Sequence, residues 1–319
     1  MHSSFPQKAD LDRAYTQVRK YAHRTPVLTS SAINNIAGCE LYFKCENLQR
    51  GGAFKFRGAT NAALSLPQDK LQKGLATHSS GNHAAALCIV AGMLGVPAYI
   101  VMPETAPAIK VAAVKGYGGK ITFCKPTLEA RESTLNQVVE QTGATFIHPY
   151  NNYDIIAGQS TACRELLEDV PDLDAVIAPV GGGGLMSGTA LSAVNFGKKG
   201  IKVFGAEPEG ADDAFRSKRD GVIYPSVGPK TIADGLLTSL GDKTFPIICE
   251  LVDQIITVSD HEITAAMRLI WERMKTVVEP SGATVLAAVI KSGDLFKGKK
   301  TGLILSGGNA DIPKINWEL

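Results

Sequence analysis

The sequence predicts an α/β protein built on mainly parallel, twisted sheets flanked by helices. Three observations predict it. Short apolar runs alternate with helix-like stretches along the chain, the pattern of strands joined by helical crossovers. Gly-, Ser- and Asn-rich turns follow several of the apolar runs, at residues 78–83, 181–184 and 306–309. Ligands in open sheets bind at those carboxyl ends of strands. The length of 319 residues, with 45% hydrophobic content, supports a substantial core in one large or two smaller domains.

The elements follow in order. Residues 40–46 read as a strand, and a second strand-like run covers 74–77, before helical 84–94. Strand 97–102, helix 106–115, strand 120–124 and helix 127–142 come next, the last with apolar Leu128, Leu135, Val138 and Val139. Residues 174–180 form an apolar, buried-strand pattern, followed by four glycines and a helix over 185–196. Strands are expected at 201–206, 254–258 and 303–306. Asp260 is placed as the N-cap of a long helix, with Glu262 in its first turn and Ile263, Met267, Ile270 and Met274 on one face.

Bulk properties exclude several classes. The net charge is +2 and no long basic run occurs, so no nucleic-acid partner is implied. No apolar run is long enough to span a membrane, and the first residues lack an apolar signal region. The six cysteines are scattered, with no C-x-x-C pair, and are expected as reduced, mostly buried residues of a cytoplasmic protein.

Four segments carry chemistry. Lys55 sits among glycines and aromatics in Gly51-Gly-Ala-Phe-Lys-Phe-Arg-Gly58. Partial desolvation there lowers a lysine pKa and frees its amine as a nucleophile, as a Schiff base requires; the plain alternative is a solvated lysine before a helix. Gly181, Gly182, Gly183 and Gly184, with the Leu185 amide, open a helix after a strand. Backbone N–H groups and the helix dipole there favour an anion. The glycines match neither a dinucleotide fingerprint nor a P-loop, so a phosphate monoester fits better than a nucleotide. Ser79, Ser80, Asn82 and His83 form a polar turn suited to a carboxylate, or simply an N-cap cluster. Ser306 ends an apolar strand, where its hydroxyl can meet a heteroaromatic nitrogen.

Together these segments resemble the serine racemase and serine/threonine dehydratase family, pyridoxal-phosphate enzymes of the tryptophan-synthase-β-like fold (fold type II). The resemblance also covers Thr25-Pro-Val-Leu-Thr-Ser-Ser31, Phe43-Lys-Cys-Glu46, Ile156-Ala-Gly-Gln159, Ala206-Glu-Pro208, Thr231-Ile-Ala-Asp-Gly235 and Glu279-Pro280. It implies two domains: a large cofactor-binding one from residues 1–74 and 151–319, and a small mobile one from 75–150. It implies pyridoxal 5′-phosphate on Lys55, Phe54 against the ring, Asn82 on its 3-hydroxyl, the tetraglycine on its phosphate and Ser306 on its nitrogen. Ser79, Ser80, Asn82 and His83 would grip the substrate carboxylate, with Arg131 reaching it on closure. Ser80 matches the serine that faces Lys55 across the substrate in serine racemases. Two bases on opposite faces permit racemisation; one permits only elimination.

The implied reaction is loss of water and ammonia from L-serine- or L-threonine-type substrates to give a 2-oxo acid. Serine racemisation as the main activity, and 3-hydroxyaspartate as the substrate, stay open. Glu207, Asp213 and the Ala211 carbonyl are the implied ligands of Mg²⁺, Ca²⁺ or Mn²⁺, all hard cations that favour oxygen. A homodimer is implied. Arg50, Gly51 and Ala85 depart from the residues animal serine racemases use with ATP, which argues against ATP activation. Tyr150 stands where those enzymes carry Asn, at the expected pocket for the substrate side chain. The short stretch after Ser306 predicts no C-terminal regulatory domain. A non-catalytic pyridoxal-phosphate carrier and a nucleotide binder on the tetraglycine are the readings from other classes.

Overall fold

A computed structural model describes residues 5–315 and Trp317. It contains two sheets. The larger has the order β1-β2-β10-β7-β8-β9. Its strands are β1 (Val27–Leu28), β2 (Glu40–Cys45), β7 (Ala175–Pro179), β8 (Lys202–Pro208), β9 (Gln254–Val258) and β10 (Lys300–Leu305). The smaller has the order β5-β4-β3-β6, from β3 (Leu75–His78), β4 (Ala98–Pro103), β5 (Lys120–Cys124) and β6 (Thr145–Phe146). Every pairing is parallel except β1 with β2. The smaller sheet draws all its strands from the segment between residues 75 and 146.

Parallel strands need crossovers and bury both faces, so their sequences are nearly all apolar. β7 shows the consequence. Ala175 and Ile177 enter one core with the helix Pro280–Lys291, while Val176 and Ala178 enter another with the helices Tyr153–Asp169 and Gly184–Phe196. In β10, Leu303 and Leu305 face the first core and Ile304 the second. The period-two alternation of side chains produces this division.

Three local expectations change. Ser259, not Asp260, caps the helix Asp260–Leu269: its hydroxyl accepts from Glu262 N while the Glu262 carboxylate accepts from Ser259 N. This reciprocal box satisfies two otherwise free amides. The Asp260 carboxylate instead accepts from Thr231 Oγ1 and Ile232 N, which fixes the loop before Asp234. Met274 lies in a π-helical turn, Ile270–Met274, beyond that helix. Leu128 is 61% exposed: it shares a face with Leu135, two turns on, but as the first residue of its helix it lies at the open end.

A wholly buried ion network lies next to the predicted lysine. Arg57 donates to Glu46 at 2.7 and 2.9 Å and to Glu165 at 2.8 and 2.7 Å, and Lys44 meets Glu165 at 2.7 Å. Two cations thus face two carboxylates, joining β2, the helix Lys55–Leu64 and the helix Tyr153–Asp169. Desolvation acts against the charge of Glu46, but the Arg57 guanidinium outweighs it and holds the carboxyl below its usual range.

Candidate active site

Strand order brings the chemistry together. β2, β10 and β7 are neighbours, and their carboxyl ends lead into Lys55, Ser306 and the tetraglycine respectively. The segment before Lys55 is zipped to the turn after β10. Ala53 bridges Gly307, Phe54 N donates to the Ser306 carbonyl at 3.0 Å, and Gly308 N donates to the Gly52 carbonyl at 2.9 Å. Lys55 then begins a helix. Its amine donates to the Pro149 carbonyl at 2.8 Å and lies 5.1 Å from the centroid of the Phe54 ring. Desolvation lowers its pKa to about 8, and the Glu279 charge opposes the shift. About a tenth of the amine is then free base at pH 7, far more than at an ordinary lysine.

The tetraglycine is fully buried. Gly183 has φ +86, a left-handed conformation that glycine adopts without a Cβ penalty. A Cβ on Gly182 would lie 2.4 Å from the Tyr150 ring. Thr244 Oγ1 donates to the Gly182 carbonyl at 2.9 Å and fixes the turn. The helix Gly184–Phe196 starts here, so its first amides, Leu185 included, have no helical acceptor. Tyr150, half-buried, packs on this loop.

The polar turn follows β3. Ser79, Ser80 and Asn82 are half-buried, while His83 is 2% exposed. A His83 ring nitrogen lies 3.1 Å from the Ile147 carbonyl, and burial pushes its pKa down to about 3. The ring is neutral and turned inward, so any contact of His83 with a carboxylate falls to its backbone amide. Asn82 donates to both oxygens of Glu279, at 3.0 and 3.2 Å, and accepts from Asn309 Nδ2 at 2.9 Å.

Glu279 is the residue that sequence reasoning left without a role. It is 5% exposed, and burial raises its pKa to about 7. Besides Asn82 it accepts from Asn309 N at 3.2 Å. It joins the polar turn of the smaller sheet to the strand end that carries Ser306. The available signal was Glu279-Pro280 at a helix start together with Gly307, where a Cβ would lie 2.5 Å from the Glu279 carboxylate.

Ser306 is 2% exposed and adjoins Phe54. Arg131 lies on the helix Leu128–Thr142, with its Nε buried and unpartnered. Its charge acts on His78 and Cys124, whose pKa values burial shifts down and up respectively.

Glu207 ends β8 and Asp213 starts the helix Asp213–Asp220; each is 1% exposed. The Glu207 oxygens accept from Ala214 N at 2.9 Å and Phe215 N at 2.7 Å, and burial pushes its pKa up to about 9. Burial also raises the pKa of Asp213, Ser226 opposes that shift, and neither carboxylate oxygen makes a hydrogen bond of ordinary geometry. Two buried acids with an unsatisfied carboxylate form a donor set that suits a hard cation. No group of three acidic, His or Cys side chains is placed to hold a metal ion here or elsewhere among the described residues, so water and carbonyl oxygens would complete such a site.

A model of the family "pyridoxal-phosphate dependent enzyme" matches residues 18–307. The chain belongs to this family. Its relatives cover it almost end to end. A serine racemase of Dictyostelium discoideum is 53% identical over 311 residues, 96% of each chain. A beta-hydroxyaspartate dehydratase of Paracoccus denitrificans is 47% identical over 312 residues, 98% of this chain and 99% of the relative. Among solved structures, a crystal structure of serine racemase from Dictyostelium discoideum superimposes with a TM-score of 0.92 at 53% identity, covering 96% of this chain and 99% of that one. The pyridoxal-phosphate enzyme described here thus has the type II fold. Its site suits that cofactor: a low-pKa lysine amine, a glycine turn with free amides at a helix start, and a buried serine hydroxyl lie at adjacent strand ends.

Proposed function

We propose that this enzyme eliminates water from small β-hydroxy amino acids of the L-serine and L-threonine type, releasing a 2-oxo acid and ammonia, and racemises serine in the same site. The observation that carries the reading is the buried Lys55 amine, its pKa lowered to about 8, bonded to the Pro149 carbonyl beside Tyr150, which packs on the tetraglycine, while Glu279, whose charge acts on it, holds Asn82. The relatives named as serine racemase and beta-hydroxyaspartate dehydratase support it. Bound pyridoxal phosphate supplies an aldehyde for the substrate amine and an electron-accepting ring. The Gly181–Leu185 amides would hold its phosphate, Phe54 would lie on its ring, and Asn82 and Ser306 would meet its 3-hydroxyl and nitrogen. A neutral serine leaves that nitrogen less protonated than an aspartate would. The milder electron sink suits loss of a β-hydroxyl more than a long-lived carbanion.

Lys55 removes the Cα proton, and the Ser79, Ser80, Asn82 and His83 segment orients the carboxylate. Ser80 exchanges a proton on the opposite face, and Arg131 approaches when the 75–150 domain moves. Proton NMR with L-serine in D₂O, followed by chiral analysis, tests this. Ser80→Ala is expected to abolish deuterated D-serine while pyruvate formation persists. Equal loss of both products would make Ser80 a carboxylate ligand only, and absence of keto acid from every β-hydroxy substrate would sink the reading.

We place a divalent cation, Mg²⁺ first, on Glu207, Asp213 and the Ala211 carbonyl. A cation at about 100 times its Kd should stabilise the fold by about 2.7 kcal/mol. Asp213→Asn should erase that rise in melting temperature; an undiminished rise would place the ion elsewhere. The enzyme is read as a cytoplasmic homodimer without ATP activation. No described helix is long and apolar enough to cross a membrane, and the six cysteines are free, which agrees with a reducing compartment.

A further inference from the structure

Residues 75–150 share an apolar core with the helix Lys55–Leu64, and several polar side-chain contacts join them to the rest of the described chain around Lys55 and Glu279. Lys55 reaches the Pro149 carbonyl, and Asn82 meets Glu279 and Asn309. A further one is an ion pair. Lys110, in the first turn of the helix Ala108–Gly116, donates to an Asp234 carboxylate oxygen at 2.6 Å. Asp234 belongs to the turn Asp234–Leu236, and Leu236 backs the first glycine of the tetraglycine, where a Cβ would meet its Cα at 3.0 Å. Lys110 therefore spans from the smaller sheet to the rim of the phosphate turn. Both charges also act on Glu279, which in turn acts on Lys55. Asp234 is held from behind: the Asp260 carboxylate accepts from Thr231 and Ile232, and Gly235 N donates to Ser281 Oγ at 3.0 Å.

We propose that the Lys110–Asp234 ion pair is a latch that holds the 75–150 segment against the larger sheet across the mouth of the Lys55 cleft. The proposal rests on that cleft being the reaction site. The pair is suited to opening and closing. Its side chains are 33% and 55% exposed, so solvent screens it and it closes the cleft without locking it. One partner is anchored by the Thr231–Asp260 contacts, while the other rides on the segment that moves. Breaking an exposed pair of this kind should shift the closed–open balance by about 1.5- to 5-fold. Salt at about 1 M, with a Debye length near 3 Å, should produce most of that shift in the unaltered protein.

The test uses the pyridoxal-phosphate-loaded full chain at low salt, without substrate. Amide hydrogen exchange is read over residues 79–94, with Lys110→Met, Asp234→Asn and the charge swap Lys110→Asp with Asp234→Lys. Each single variant should raise exchange there by about 1.5- to 5-fold, and the swap should restore slow exchange. In turnover assays the singles should raise KM and leave kcat equal or higher, since opening also releases product. Unchanged exchange in both singles, or no restoration in the swap, would overturn the latch. The exchange arm does not require catalysis. A latch intact in a protein that turns over no hydroxy amino acid would thus count against the proposed reaction alone.

Discussion

Lys55→Ala is expected to reduce keto-acid formation by at least about 10³-fold, the upper range for a general base combined with loss of the covalent anchor. Mass spectrometry after borohydride reduction should find the cofactor on the peptide containing Lys55 in the unaltered protein and nowhere in the variant. Labelling of another lysine would reject the assignment. The amine also predicts a pH dependence. With its pKa at about 8, the charged ammonium dominates below that value and cannot attack an aldehyde. The rate at which apoprotein captures pyridoxal phosphate should therefore rise about tenfold per pH unit up to roughly pH 8 and then level off. A plateau reached only near the ordinary lysine value, about 10.4, would show that the site does not desolvate the amine.

Arg57→Met should destabilise the fold by about 3–5 kcal/mol, because it strips a buried carboxylate pair of its principal cation. Glu46 would lose its ion-pair partner, and Glu165 would keep only Lys44. Urea melts at pH 7 measure the loss. The sign of the pH effect follows from Glu46, whose carboxyl is held below its usual range in the folded protein. Its contribution is present above the unfolded carboxylate pKa and disappears as pH falls through the folded value. The variant lacks that contribution, so its deficit should shrink on acidification. A deficit independent of pH would mean that Arg57 acts through packing alone. Arg57→Lys keeps the charge without the two-pronged fork and should fall between the two proteins.

Local chemistry made much of the site legible. Strand 120–124 and strand 254–258 were readable to the residue, since consecutive apolar residues bounded by turns leave little choice. Lys55 and the tetraglycine stood out because a lysine among glycines and aromatics, and four glycines before a helix, are unusual wherever they occur. Ser259 was missed as the cap because Asp260 is an equally good cap by type; the choice lay in which side chain had another partner, and Asp260 is engaged by Thr231. His83 looked like a ligand in a polar turn, yet the first turn of its helix points the ring into the core.

By itself the sequence determined the alternation of strands and helices, the lysine, the glycine turn and the terminal serine, all set by periodicity and residue type over a few neighbours. Only the tertiary structure decided that β2, β10 and β7 lie side by side, that Glu279 meets Asn82 and Asn309, and that Lys110 reaches Asp234. These facts depend on chain segments far apart in sequence, with Glu40 of β2 paired to Lys300 of β10 and Asn82 bonded to Glu279 across 197 residues. Burial then fixes their chemistry: the same glutamate or lysine is an ordinary surface charge until packing removes its water and leaves it one partner.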